Sequence, residues 1–335
     1  MKKILAGLLA CLLVLGMVAF AETGDKEYDV VFIPKSVHEF YNLIKSGVDQ
    51  AIADLAEEGI KINLTWSAAD KADSVKQAEM LEAAIALKPD CIAIAVIDGE
   101  MCKDLMQQAL DQGISVYGFD TDFPDSPRQG FVGAGMENQY KCGYDTATMM
   151  IEAIGDENCE VAILAGSPAA ENHKRIVKGF EDCIAENYPN VKIVTKQADN
   201  DKVEEATNIT ESILSQYPNI RGIFGATSGD GLGASYAYES AIEAGKFEVG
   251  DVVIIDHTLT AEKKNERIPQ GYLYGVLDAP PYVMGYYAIQ MINAYLTNGT
   301  PYQDIYLTYE KVDASNLETF TNDYTDKAAD LEYWH

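Results

Sequence analysis

Polar residues capable of chemistry recur where apolar runs end. His38 follows the first run, Asp98 a later one, and Asp120 with Asp122 the next. Lys174 and Arg175, then Thr227 with Ser228 and Asp230, then Asp256 with His257, then Asp278 continue the series. Any one of them reads as a turn or helix N-cap residue. As a set they point further, because the strand ends of a parallel sheet converge on one edge. Two such edges facing each other make a cleft rimmed by carboxylates, cations and hydroxyls. The adjacent pair Phe40-Tyr41 adds aromatic faces, unless the pair only packs the start of its helix. Carboxylates accept hydroxyl protons in charge-assisted hydrogen bonds. Lys and Arg donate to ring and hydroxyl oxygens, and aromatic faces cover the C–H faces of a sugar ring. Several carboxylates together repel an acid or a phosphate ester. The ligand chemistry they suit is a neutral sugar.

Other motifs are weaker. Gly229-Asp230-Gly231-Leu232-Gly233-Ala234 fits the dinucleotide pattern G-x-G-x-x-A, but Asp230 would face a pyrophosphate. There is no G-x-x-x-x-G-K-[ST], no G-x-S-x-G and no H-E-x-x-H. Asp120, Asp122 and Asp125 lack the closing Glu of a calcium loop. The four histidines, at 38, 173, 257 and 335, have no metal-ligand spacing, and neither a metal nor another cofactor is expected. A carboxylate pair such as Asp120 and Asp256 has the residue types for acid–base hydrolysis of a glycoside, so an exported glycosidase stays open beside a binding protein.

The elements that must position these residues begin with 28–47. Val30-Val31-Phe32-Ile33 has the continuous apolar character of a buried parallel strand, and Pro34 stops it. A polar loop at 35–39 follows, then helical spacing in Leu43, Ile44, Val48, Ala51, Ile52 and Leu55. The pattern repeats, with strands at 61–66, 91–96 and 114–119 and helices at 74–87 and 101–111. Residues 131–135 read as a glycine-rich crossover. Alternation then resumes, with strands at 161–164, 191–195, 222–224, 252–255, 272–277 and 305–309. Helices at 138–154, 172–187, 203–217, 231–244 and 282–296 separate them. Such alternation means parallel sheets covered by helices on both faces. There are too many units for one sheet, so two similar lobes are predicted.

Lys2 and Lys3, an apolar run at 4–20 and Ala19-Phe20-Ala21 predict a signal peptide cleaved after residue 21. Leu8-Leu9-Ala10-Cys11 offers a rival lipobox, and with it a lipid anchor. The chain carries 25 basic and 53 acidic residues, net −28, and loss of Lys2 and Lys3 takes this to −30. That charge argues against nucleic acid and anionic membranes, and for a soluble monomer. Cys91, Cys102, Cys142, Cys159 and Cys183 are widely spaced and odd in number, which suits small buried side chains more than a disulfide framework, with one bridge left open.

The stretches IPKSVHEFYNLIKSGVDQAIADLAEEGI, DSVKQAEMLEAAIALKPDCIAIAVID, QALDQGISVYGFDTD, ENHKRIVKGFEDCIAENYPNVKIV, PNIRGIFGATSGDGLGA and VIIDHT, followed by VLDAPPYVMGYYAI, carry a family resemblance in their order and spacing. Over residues 28–316 the chain resembles the periplasmic sugar-binding proteins of ABC importers, of the ribose-, galactose- and xylose-binding type. The resemblance implies an α/β fold of two Rossmann-like lobes joined by a three-stranded hinge, the type I periplasmic binding protein. It implies one lobe from 27–134 plus 279–306, a second from 135–278 plus 307–325, and a tail at 326–335. It implies capture of a pentose or hexose between the lobes, delivery to a membrane permease, a chemoreceptor as a further partner, and a periplasmic or extracellular location. Autoinducer-2 or a nucleoside are the alternative ligands.

Carried over by residue, Phe40 and Tyr41 match the family's first aromatic contacts, and His38 stands near a usual Asn. Asp120 matches a ligand-binding Asp, with Thr121 where Arg is common. Either Lys174 or Arg175 matches the cleft Arg. Thr227 replaces an Asn, Asp256 matches the Asp that binds sugar hydroxyls, and Asp278 replaces a Gln. LacI-type regulators share this fold, but they begin with a DNA-binding helix-turn-helix where this chain has a leader.

Overall fold

The computed structural model describes residues 26–299 and 303–320. The expected leader at 1–21 and tail at 326–335 lie outside these residues.

The apolar runs assemble into two six-stranded sheets. The first contains β1 (Lys26–Ile33), β2 (Ile60–Trp66), β3 (Cys91–Ile94), β4 (Ser115–Asp120), β5 (Gly130–Gly133) and β11 (Ile305–Tyr306). Their spatial order is β11-β5-β4-β3-β1-β2, and every pair is parallel. The second contains β6 (Glu160–Leu164), β7 (Lys192–Gln197), β8 (Ile220–Gly225), β9 (Val253–His257), β10 (Gly275–Asp278) and β12 (Glu310–Asp313). Its order is β12-β10-β9-β8-β6-β7, with only β12 antiparallel.

The helices are α1 (Glu39–Glu57), α2 (Ser74–Leu87), α3 (Gly99–Asp111), α4 (Gly135–Ile154), α5 (Glu171–Asn187), α6 (Val203–Gln216), α7 (Asp230–Glu243) and α8 (Pro281–Asn298). Each sheet has an apolar core on both faces, which is why its central strands are apolar throughout rather than alternating.

One helix pair in each lobe crosses at backbone contact. A Cβ on Gly47 would lie 2.0 Å from the Tyr282 carbonyl oxygen, and one on Gly285 would lie 1.9 Å from that of Ile44, so α1 and α8 interlock. In the other lobe, Gly143 of α4 and Gly179 of α5 make the same reciprocal approach, at 1.8 Å to the Ile176 oxygen and 2.0 Å to the Tyr140 oxygen.

The chain passes between the sheets three times: from β5 through α4, from β10 into α8, and from β11 to β12. Some elements differ from the sequence reading. Residues 131–135, read as an extended crossover, form most of the paired strand β5 and lead into the first passage between the lobes. The strand expected from 272 starts at Gly275, because the Tyr272 and Leu273 N–H groups are taken by the Arg267 carbonyl. That carbonyl closes a π-helical turn, Lys263–Arg267, which has no sequence signal. The last strand, expected at 305–309, shortens to β11, and a further strand, β12, lies beyond it with one buried apolar residue, Val312. The five cysteines of the described residues are buried and free, which closes the open question of a bridge among them.

Candidate functional site

The carboxyl-terminal ends of both sheets face one cavity. The first lobe contributes Lys35, His38, Phe40, Tyr41 and Asp120. The second contributes Asn172, His173 and Asp201, the loop 226–228, and His257 with Thr258. Ala279 and Tyr309, from the passages between lobes, close the back. The cavity offers about 60 Å³, enough for about four waters. A larger groove of about 620 Å³, lined by Asp156, Lys192 and Arg221 among others, lies by the amino-terminal ends of the second sheet's strands. Loops in a parallel sheet converge on ligands at the other end.

The first wall is built on the loop after β1. Pro34 ends the ladder and Lys35 turns inward, 5% exposed. Its Nζ donates to Thr121 Oγ1 at 2.6 Å and to Asn172 Oδ1 at 2.8 Å, and lies 3.2 Å from Asp120 Oδ2. One cation therefore ties the two lobes together. Tyr41 Oη donates to the same Asp120 oxygen at 2.8 Å. Burial, then the Asp120 charge, pushes the Tyr41 phenol well above its ordinary range, so it remains a donor. Phe40 stands edge-on to Tyr41, ring centroids 5.2 Å apart. Asp120 has φ +60°, and the Thr121 N–H donates to the Phe119 carbonyl at 2.7 Å across it. This tight three-residue turn turns the carboxylate out of the strand direction at some backbone cost.

The second wall rests on buried carboxyls. Asp230, fully buried, accepts from the Ala226 and Thr227 N–H groups at 3.0 and 3.1 Å, and from the Thr227 hydroxyl. Asp199 lies close enough for its charge to act on Asp230, and burial pushes the Asp199 carboxyl up to about 6. Burial and the Asp199 charge raise Asp230 well above the carboxylate range, so the pair holds a shared proton. Asp199 in turn accepts from the Asp201 N–H at 2.9 Å, which sets Asp201 at the cavity. Asp230 is thus spent on its own loop, which removes the dinucleotide reading of this segment.

Of the ten residues picked from sequence, the structure brings His38, Phe40, Tyr41, Asp120 and Thr227 to the cavity. Thr121 lies one layer behind, between Lys35 and Asp120. Neither cation of the Lys174/Arg175 alternative lines it. Lys174 is on the surface, 2.7 Å from Glu171. Arg175 is half-buried and crosses the lobes below the cavity, donating to the Asp122 carbonyl at 3.2 Å and Gln139 Oε1 at 3.1 Å. Asp122 itself turns away to Arg128.

Asp256 is fully buried and pairs with Lys263 at 2.7 Å. Burial raises its carboxyl despite that cation. The Lys263 Nζ also caps the carbonyls of Ser228, His257 and Thr258, so the pair braces two cavity loops. That capture also supports Thr258, a β-branched residue at φ +58°. Asp278 accepts from the Leu259 N–H at 2.6 Å and braces the same loop. Lys35, His173, Asp201 and His257 are cavity residues that were not among the ten. Lys35 had a legible signal, since it is the first polar residue beyond a strand-ending proline. Asp201 had none, because its place depends on the left-handed turn at Asn200 and Asp201.

Two α/β lobes joined by three passages, with a polar cavity walled by both, define a hinged ligand receptor. Residues 30–300 match the model of the periplasmic binding protein domain, and the chain belongs to that family. It is similar to a D-ribose/D-allose-binding protein of Pseudomonas aeruginosa, 26% identical over 241 residues, which span 68% of this chain and 71% of that protein. It is also similar to a D-apiose import binding protein of Actinobacillus succinogenes, 22% identical over 90% of this chain and 91% of that one. Among solved structures, an ABC transporter solute-binding protein from Burkholderia graminis in complex with D-arabinose superposes with a TM-score of 0.80 at 26% identity, covering 89% of this chain and 99% of that one. An Actinobacillus succinogenes solute-binding protein with bound D-allose gives 0.75 at 25% identity, over 88% of this chain and all of the other.

Proposed function

We propose that this protein is an extracytoplasmic receptor that captures a neutral monosaccharide between its lobes and hands it to an ABC permease. The observation that carries this reading is the cavity itself: acceptors (Asp120, Asp201), donors (Lys35, His173) and aromatic faces (Phe40, Tyr41) meet there from both lobes. A hydroxyl both donates and accepts, so a polyol satisfies such a mixed lining. The relatives and structures named above, whose ligands are pentoses and hexoses, support the same class. About 60 Å³ is less than a sugar ring fills, so the lobes must part at the Lys35–Asn172 bridge to admit one. A hydrolytic pair of Asp120 and Asp256 has no support, because Asp256 is locked against Lys263 away from the cavity.

Calorimetry on protein unfolded and refolded to remove retained ligand tests the reading, using D-ribose, D-allose, D-arabinose and D-xylose. Binding of at least one sugar at micromolar or tighter affinity is expected. Absence of heat at millimolar concentrations of all four overturns it.

A further inference from the structure

Four histidines occur in the sequence, and three of them, His38, His173 and His257, border the interlobe cavity. They arrive from separate elements: the N-cap of α1, the first turn of α5 and the last residue of β9. In each the Nδ1 edge is already engaged. The Phe40 N–H donates to His38 Nδ1 at 3.2 Å, and the Ser167 N–H to His173 Nδ1 at 3.0 Å. A backbone N–H only donates, so the proton of each neutral ring sits on Nε2. His257 Nδ1 lies 3.6 Å from Cys142 Sγ. A thiol sulfur is a weak acceptor and an imidazole nitrogen a good one, so the S–H donates and the His257 proton also goes to Nε2. The His257 ring is held between Phe224 and Tyr309, with centroids 5.9 and 5.8 Å away. It is 4% exposed, and its Nε2 is buried without a hydrogen-bond partner among the described residues.

We infer that His38, His173 and His257 are three neutral imidazole Nε2–H donors that read the oxygens of the ligand, with Cys142 as the positioning residue for His257. The inference rests on the cavity being the sugar site. It deepens that reading by pairing two acceptors, Asp120 and Asp201, with donors that carry no charge. Burial keeps His173 and His257 neutral by lowering them to about 4 and about 3. The same tautomers leave no ring nitrogen with a free lone pair, so these rings do not offer a metal site.

The test combines two measurements on the exported chain. Long-range proton–nitrogen spectra of histidine-labelled protein contain four ring systems, assigned by single His→Gln variants. At pH 7.5 the rings of His38, His173 and His257 should all show the Nε2–H tautomer. An Nδ1–H form or a charged ring at His173 or His257 overturns the inference. Cys142→Ala should bring His257 into exchange with the Nδ1–H form, and Cys142→Ser should restore it. An unchanged spectrum in Cys142→Ala removes the positioning role. In calorimetry with whichever of the four sugars binds the unmodified protein, His257→Gln places an amide nitrogen near Nε2 and should hold affinity within about threefold. His257→Asn places one near Nδ1 and should lose about tenfold. Equal losses overturn the donor role. If none of the four sugars binds, the functional reading fails, while the tautomers still decide this inference.

Discussion

At the scale of the residue, the buried ionisable groups fix how the protein responds to pH. His173 and His257 titrate at about 4 and about 3 in the fold, below the ordinary 6.5, because burial penalises their charged forms. The unfolded chain therefore binds more protons between about 6.5 and 4, and their contribution to stability is lost as pH falls through that window. Asp199 works the other way. Its carboxyl is raised to about 6, so its contribution is present below about 4 and is lost as pH rises through 6. Asp230 and Asp256 are raised as well and oppose the histidines in this window, so the histidine contribution is read by difference: in thermal melts the parent should lose stability relative to His257→Gln as pH falls from 6.5 to 4. Asp199→Asn keeps the oxygen that accepts from Asp201 and removes the charge, so its melting temperature should exceed the parent's at pH 7.5 and converge with it near pH 4. A variant less stable at pH 7.5 contradicts the shared-proton pair.

Asp120 gathers Lys35, Tyr41 and Thr121, so Asp120→Asn should weaken sugar binding about ten- to a hundredfold in calorimetry. Its place was readable from sequence because it ends an apolar strand. Asp256 also ends one, yet its role was not readable. The difference lies in Lys263, seven residues on in a π-helical turn, which no periodicity announces.

At the scale of the element, packing and loop bracing dominate. The strand–helix alternation was legible because both-face burial forces apolar strands, and 3.6-residue spacing marks the helices between. The edge strand β12 was not, since pairing through backbone needs no apolar pattern. Lys263→Met leaves Asp256 buried without its cation, and urea unfolding should register a loss of about 3–5 kcal/mol. A change within 1 kcal/mol refutes its bracing role. Gly143→Ala would place a methyl 1.8 Å from the Ile176 carbonyl oxygen, so α4 and α5 must separate, at a cost of about 3 kcal/mol in the same measurement.

At the scale of the whole molecule, the two lobes meet through few polar bridges. Lys35 to Asn172 and Arg175 to the Asp122 carbonyl are two of them. Each is a charge-assisted bond made only while the lobes are together, so each biases the hinge toward closure. Lys35→Met with Arg175→Ala should enlarge the radius of gyration in small-angle scattering without sugar. The same size in parent and double variant would mean that the closed form is held by other contacts. The two-lobe plan was legible in the number of βα units. The cavity's membership was not, because it depends on how far each lobe rotates toward the other, which no local pattern encodes.

The interlocked glycine helices bear on the order in which the polypeptide becomes structured. Gly143 and Gly179 are neighbours along the chain, so α4 and α5 can clasp as soon as both have emerged. Gly47 must wait for Gly285, near the far end of the sequence. The half of the protein made first is therefore the half completed last, since long loop closure precedes its reward. Pulse-labelled hydrogen exchange during refolding should show amides of α5 protected before those of α1. The delay leaves the leading segment extended and open to proteases while the second lobe is already compact.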